Sequence, residues 1–344
     1  MIAARVRDFF VTVLSLSLSP ATMVRPSVVA GVSLPCDAPR SDESIDPMRI
    51  VRRLAKLCEM NPSLNVHISL NCYTGVLNSS RVAQAASKLQ RCRFTSEISS
   101  IKGQKPLFWR SVLAPQNLPP AVQFVWLVDA DMAVDQFALQ QAVGELVASN
   151  ASVAQPRIAP FRHARGRTTD WPLLRMNSRR APWPEGCQAA SINYLEVQSP
   201  IFRREAWSIV HRKLLLPAKS SMLANTDCGI SEVWCGLLAN ISARPACALL
   251  RSSIVHRDEH LIERAARLAN ATWIHRKWRQ LRGLKFDVRR AKGCEPFTRG
   301  FKPFLINTTS EWHRKEPFQC LSMAERGSPV HDGPTWHERN FIRA

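Results

Sequence analysis

The chain has 344 residues, 45% of them apolar and 22% charged, the balance of an ordinary globular protein with room for one large domain or two small ones. A formal charge of +20 and a pI near 10.3 predict attraction to polyanions such as nucleotide diphosphates, acidic glycans or anionic lipid heads. The excess is scattered arginine with no zinc-finger, RRM or KH signature, which argues against nucleic acid as the partner.

In chain order, Arg5 and Arg7 precede an apolar run from Phe9 to Leu18 with small residues near Ala21. This is the plan of a signal peptide or short anchor over residues 1–22, too short for a comfortable membrane-spanning helix. Any membrane association would run through this N-terminus; a mitochondrial presequence and a truncated Golgi anchor are the alternatives. Residues 23–47, with Pro26, Pro35, Pro39 and Pro47, read as a linker or stem. Met48 to Cys58 has helical spacing, Val66 to Leu70 alternates as a strand, and a second helix is expected over about 80 to 90. Phe124 to Val128 is a continuous apolar run ending in acidic residues, as a buried parallel strand meets its active-site end. Gln136 to Val147 returns to helical periodicity, while residues 157 to 188, dense in Arg, Pro and Trp, read as a long loop over the site. Structure is expected to resume around Asn193 to Ile209, then as a helix over Cys228 to Leu238 and a last strand over Leu249 to Val255. The expected domain therefore covers residues 48–260, followed by a basic, Trp-containing extension over 261–344.

Ten cysteines form an even set without C-x-x-C spacing, which favours disulfides or buried thiols over structural zinc. N-x-S/T sequons begin at Asn78, Asn150, Asn240, Asn270 and Asn307, against roughly two expected by chance. With the N-terminus, they favour the secretory pathway, in the Golgi or ER lumen or beyond the cell.

The triplet Asp129-Ala130-Asp131 is the most informative in the chain. In extended backbone, residues two apart point to one side, so both carboxylates can share a hard cation such as Mn2+ or Mg2+. Such a cation can bridge the two phosphates of a nucleotide sugar and offset the charge that builds on the leaving diphosphate. The same triplet also occurs as a solvated acidic turn or a helix N-cap.

The run FVWLVDADMAVDQF, then VAQPRIAP, NYLEVQSPIFRREAW, TDCGISEVWC and SIVHRDEH resembles, in order and spacing, the successive motifs of the DUF707 family, a branch of the GT-A-like glycosyltransferases. The CYTG turn and IKGQKPLFWRSVL resemble its first strand end and its basic-aromatic helix less specifically. The resemblance spans about 200 residues. It implies an α/β fold: a GT-A-like, Rossmann-type single domain with a mixed, mostly parallel central sheet flanked by helices.

It also implies a metal site at Asp129, Asp131 and His256, a nucleotide-sugar donor, and a glycan or glycoprotein acceptor. Glu196 and Asp227 match acidic positions, either of which could take the acceptor hydroxyl proton; alternatively Asp227 caps the following helix and Glu196 pairs with Arg203 or Arg204. Tyr73 stands where a nucleobase would stack. Lys105 and Arg110 could meet the donor phosphates, or form the basic face of an amphipathic helix. Trp207 and Trp234 read as core. One departure is Ser231, where family members commonly carry a second aspartate.

Overall fold

The computed structural model describes residues 25–36, 46–90, 92–94, 98–160, 187–192, 195–218, 220–225, 230–239, 241–257 and 320–321. The expected N-terminal leader, most of the expected long loop, Asp227 and nearly all of the expected C-terminal extension lie outside them.

The chain enters the fold through β1 (Ser27–Pro35), which runs between β2 (Asn65–Thr74) and β4 (Phe124–Asp129), parallel to both. This corrects the reading of residues 23–47 as a linker and of 48 as the start of the domain. The prolines that suggested a linker flank the strand: Pro26 precedes it and Pro35 is its last residue. Between them Val28, Val29, Ala30, Val32 and Leu34 are all buried. A parallel strand covered on both faces needs no alternation of polar and apolar residues, so its periodicity is silent. Backbone space is tight here, because a Cβ on Gly31 would collide with the side chain of Leu113.

After β1, Asp46 caps α1 (Pro47–Met60) by accepting from the Met48 amide, with proline at the helix start where its missing N–H costs nothing. α2 (Ser79–Lys88) is capped by Asn78. The short β3 (Arg93–Phe94) pairs with β2, and α3 (Lys105–Ser111) leads back toward β4. Then come α4 (Leu139–Ser149), β5 (Val153–Pro160), β6 (Ala189–Ile192), β7 (Ile201–Arg203) and α5 (Arg204–Val210), which continues as a π turn through Leu215. α6 (Ser220–Asn225), α7 (Ile230–Ala239), β8 (Cys247–His256) and β9 (Cys320–Leu321) complete the described elements.

The strands form one sheet in the order β3-β2-β1-β4-β7-β5-β8-β6-β9. All run in one direction except β6 and β7, which are antiparallel to their neighbours. The expected α/β class, with a mixed and mostly parallel sheet flanked by helices, is what the chain adopts. α1, α2 and α4 pack on one face, around Leu54, Ile68, Trp126 and Leu146. α3, α5, α6 and α7 pack on the other, around Phe108, Phe202, Trp207 and Trp234. Trp207 and Trp234 are core as expected, both in ring contact with Phe202 at 5.4 and 5.2 Å between centroids.

β5 carries the residues VAQPRIAP, of which 157–160 had read as loop. Its internal Pro156 lies where the pairing with β8 slips register, the kind of irregularity that lets proline sit inside a sheet. On β8 the slip leaves Ser252 outside the ladder. Glu145, buried on α4, accepts from both its backbone N–H and its hydroxyl, at 2.9 and 2.8 Å. Disulfides join Cys36 to Cys72, Cys58 to Cys92 and Cys235 to Cys247. Cys187 is disulfide-bonded as well, and no described cysteine is free.

Candidate active site

The parallel strands set their carboxyl ends along one edge, where β1, β2, β4 and β8 finish together. In register, Ser33 of β1 pairs with Asn71 of β2 on one side and Asp129 of β4 on the other. Side chains of paired residues share a face, so Asp129 points to the face packed by α3. Tyr73 lies two residues beyond Asn71, where the pairing of β1 with β2 shifts register. The two strand spacings between these rows amount to about 10 Å, a span that a nucleotide can bridge.

Lys105, the first residue of α3, donates to the Asp129 carboxylate at 2.6 Å and to the Val197 carbonyl at 3.3 Å. Its ammonium also lies 5.7 Å from the centroid of the Trp109 ring. The approach to α3 explains the sequence IKGQK. Asn71 holds the preceding segment by accepting from the Ile101 amide and donating to the Ile101 carbonyl. Gly103 then turns at φ +112, where a Cβ would stand 3.0 Å from Ala224 of α6. Only glycine suits both conditions.

Asp131 sits in the turn after β4. His256, the last residue of β8, stands with Nε2 at 3.2 Å from its carboxylate. Three further contacts hold this turn against the end of β8. The Ala133 amide donates to the Val255 carbonyl, the Arg257 amide donates to the Asp131 carbonyl, and the single nitrogen Nη2 of Arg257 donates to both oxygens of Asp135 at 2.8 and 3.1 Å. Burial opposes ionisation of Asp131. The charge and hydrogen bond of His256, together with the more distant Lys105 ammonium, outweigh it and hold the carboxyl below its usual range.

The segment before β7 runs antiparallel beside β4. The Asp129 amide donates to the Gln198 carbonyl and the Leu127 amide to that of Pro200. Glu196 thereby stands one residue from the Val197 carbonyl that Lys105 contacts. It is buried, and its amide donates to the side chain of Gln155 on β5 at 2.8 Å.

The structure thus brings together Asp129, Asp131, His256, Lys105 and the backbone of Glu196, with Tyr73 on the same sheet edge. Arg110 is engaged elsewhere. Its guanidinium donates to the Ala218 carbonyl and the Ser220 hydroxyl, bracing α3 against the approach to α6. Arg203 and Arg204 are not the partners of Glu196: Arg203 donates to carbonyls at the end of α4, and Arg204 to those of residues 115–122. Asp227 lies outside the described residues, and Ser231 falls in the first turn of α7. Residues that the motifs did not single out are Asp135 and Arg257. Their spacing in the chain carries no signal, since the contact is made only when β8 lies beside the turn after β4.

The donor chemistry suits Mn2+ or Mg2+ in part. The carboxylates of Asp129 and Asp131 and the imidazole of His256 are oxygen and nitrogen donors of the right kind, and a cation such as Mg2+ takes only one or two carboxylates alongside substrate phosphates and water. Among the described residues no three His, Cys, Asp or Glu side chains enclose a metal position. Asp131 and His256 are paired with each other, and Asp129 is held by Lys105.

No family model matches the chain and no curated protein matches it, so the likeness to DUF707 rests on the motifs quoted above. Among solved structures, the chain is similar to a 4-diphosphocytidyl-2C-methyl-D-erythritol synthase from Anaerococcus prevotii, with TM-score 0.37 and 9% identity over 71% of this chain and 96% of that one. It is also similar to TarS of S. aureus, with TM-score 0.42 and 12% identity over 84% of this chain and 44% of that one. TarS 1-349 in complex with UDP-GlcNAc matches with TM-score 0.38 and 13% identity, over 67% of this chain and 58% of that one. Likenesses this distant leave the case for function to the residues themselves.

Proposed function

We propose that this chain is a GT-A-type glycosyltransferase that moves a sugar from a nucleotide-sugar donor to a glycan or glycoprotein acceptor in the secretory lumen, using Mn2+ or Mg2+. The observation that carries the reading is the D-x-D pair at the carboxyl end of β4, with Asp131 against His256 and Asp129 against Lys105. In open α/β sheets this edge is where ligands bind. The disulfides support a luminal setting, because such bonds persist in oxidising compartments.

Charge balance supports a cation. Lys105 is spent on Asp129, so a donor diphosphate arriving here meets two carboxylates with one ammonium between them. When bound, a divalent ion would neutralise the diphosphate and favour its departure. Asp131 and His256 would hold that ion, and Asp129 would join them as Lys105 swings from the carboxylate to a phosphate oxygen. Tyr73 would stack on the base. Glu196, or Asp227, would take the proton of the acceptor hydroxyl as it attacks the anomeric carbon.

Ser231 motivates a second reading, a relative that binds donor or polyanion without turnover. The test is thermal-shift or calorimetric binding of nucleotide diphosphates and nucleotide sugars, with Mn2+ and with chelator, on wild type and Asp131→Ala. We expect manganese-dependent stabilisation of about 2.7 kcal/mol at a hundredfold excess of ligand over Kd, lost in the variant. A well-folded wild type that binds no donor would remove the transferase reading. Binding that instead falls steeply with salt and ignores the cation would mark a polyanion binder.

A further inference from the structure

The sequons acquire positions in the fold that the sequence alone does not give them. Asn78 begins the sequon Asn78-Ser79-Ser80, is exposed, and lies just past β2 on the carboxyl edge of the sheet. Its Oδ1 caps α2 by accepting from the Arg81 amide at 2.9 Å, and it also accepts from the hydroxyl of Ser80, the sequon's own third residue, at 2.9 Å. Asn150 begins Asn150-Ala151-Ser152, is exposed, and closes α4 in left-handed backbone at φ 53. It stands three residues before β5 begins at Val153, and since β5 is parallel to β4 it lies on the amino edge, across the sheet from Asp129.

We propose that Asn78 and Asn150 are N-glycosylation sites, one on each edge of the sheet. The proposal is independent of the transferase reading and rests instead on the luminal setting. At each site the side-chain amide nitrogen would displace a lipid pyrophosphate from C1 of an oligosaccharide. The N–C1 bond forms, the C1–O bond to phosphate breaks, the pyrophosphate leaves with the electron pair, and the amide gives up one proton. The roles these side chains play in the fold survive the change. Capping by Asn78 uses Oδ1, which the modification leaves in place, and the left-handed turn at Asn150 depends on backbone, with the side chain in solvent. A glycan at Asn78 would border the end of β2 that carries Tyr73, whereas one at Asn150 would leave the site edge clear.

The variants follow from the same geometry. Ser152 is buried and hydrogen-bonded to Ser242 at 2.9 Å, so Ser152→Ala would disturb the fold along with the sequon. Asn150→Gly removes the acceptor while keeping a residue at home in left-handed backbone, and Asn78→Asp removes it while keeping a capping oxygen. The full chain and both variants are expressed in a secretory eukaryotic host. Each is then compared on gels with and without peptide N-glycosidase, and the peptides spanning 78–80 and 150–152 are read by mass spectrometry. The expected result is glycan on both peptides and the loss of one mobility step in each variant. Unmodified peptides at both positions in secreted, folded chain would overturn the proposal, whether or not the remaining sequons are occupied.

Discussion

At the residue scale, the arrangement that distinguishes the site is an ammonium and an imidazole set on a pair of aspartates, each reaching over from a different element. Lys105 comes from α3 and His256 from β8, and neither is near the D-x-D in sequence. The contact that holds one half of this arrangement is Arg257 on Asp135, both side chains about one-sixth exposed, at 16% and 17%. Arg257→Ala would leave the Asp135 carboxylate largely buried without its partner, and removing one member of such a pair costs about 3 kcal/mol. Arg257→Lys would recover part of this, since it keeps the charge but not the planar guanidinium. Urea unfolding of both variants would check the ordering, with Ala the less stable. Equal stability of wild type and Arg257→Ala would mean that the ion pair does not secure the turn. The D-x-D itself was legible because apolar strand and acidic end are adjacent in the chain. Arg110 was legible as basic but not as structural, because its acceptors at Ala218 and Ser220 lie about a hundred residues away.

At the scale of elements, helices announce themselves better than strands in this chain. α1 and α4 pack on the same face of the sheet and show the apolar stripe that one-sided burial demands, so their periodicity locates both to within a few residues. β5 is not legible as a strand in the sequence, since Pro156 contradicts the strand pattern unless the neighbouring strand slips register beside it. That slip is stabilised by Glu145, a charged residue buried on a helix because Ser252 and Gln141 donate to it. Glu145→Leu would leave the Ser252 amide and hydroxyl without their acceptor, at a cost of about 1–3 kcal/mol for each buried group left unsatisfied. Hydrogen exchange would show it locally, as faster exchange of the Ser252 amide and its neighbours in β5. Unchanged exchange there would show that the irregular pairing needs no help from α4.

At the scale of the whole molecule, the decisive element is β1. It hydrogen-bonds to both β2 and β4, and Cys36 just after it is tied to Cys72 at the end of β2. A chain beginning at residue 48, where the domain had been expected to start, loses the strand on which its neighbours pair. Such a truncation should give aggregated protein with no cooperative thermal transition, whereas one beginning at residue 25 should keep the transition. A soluble, cooperatively folding chain from residue 48 would mean that the sheet can close without β1. By itself, the sequence determined the α/β class, the helices that carry one apolar face, the buried run that ends in Asp129 and Asp131, and a cysteine spacing that favours disulfides or buried thiols over zinc. Each of these depends on residues close together in the chain or on composition. Only the tertiary structure decided that residues 27–35 are a central strand, that Lys105 rests on Asp129, that Arg257 grips Asp135, and that Arg110 braces a helix. A strand buried on both faces has no period to read, and a contact between distant residues exists only once the sheet has brought their strands side by side.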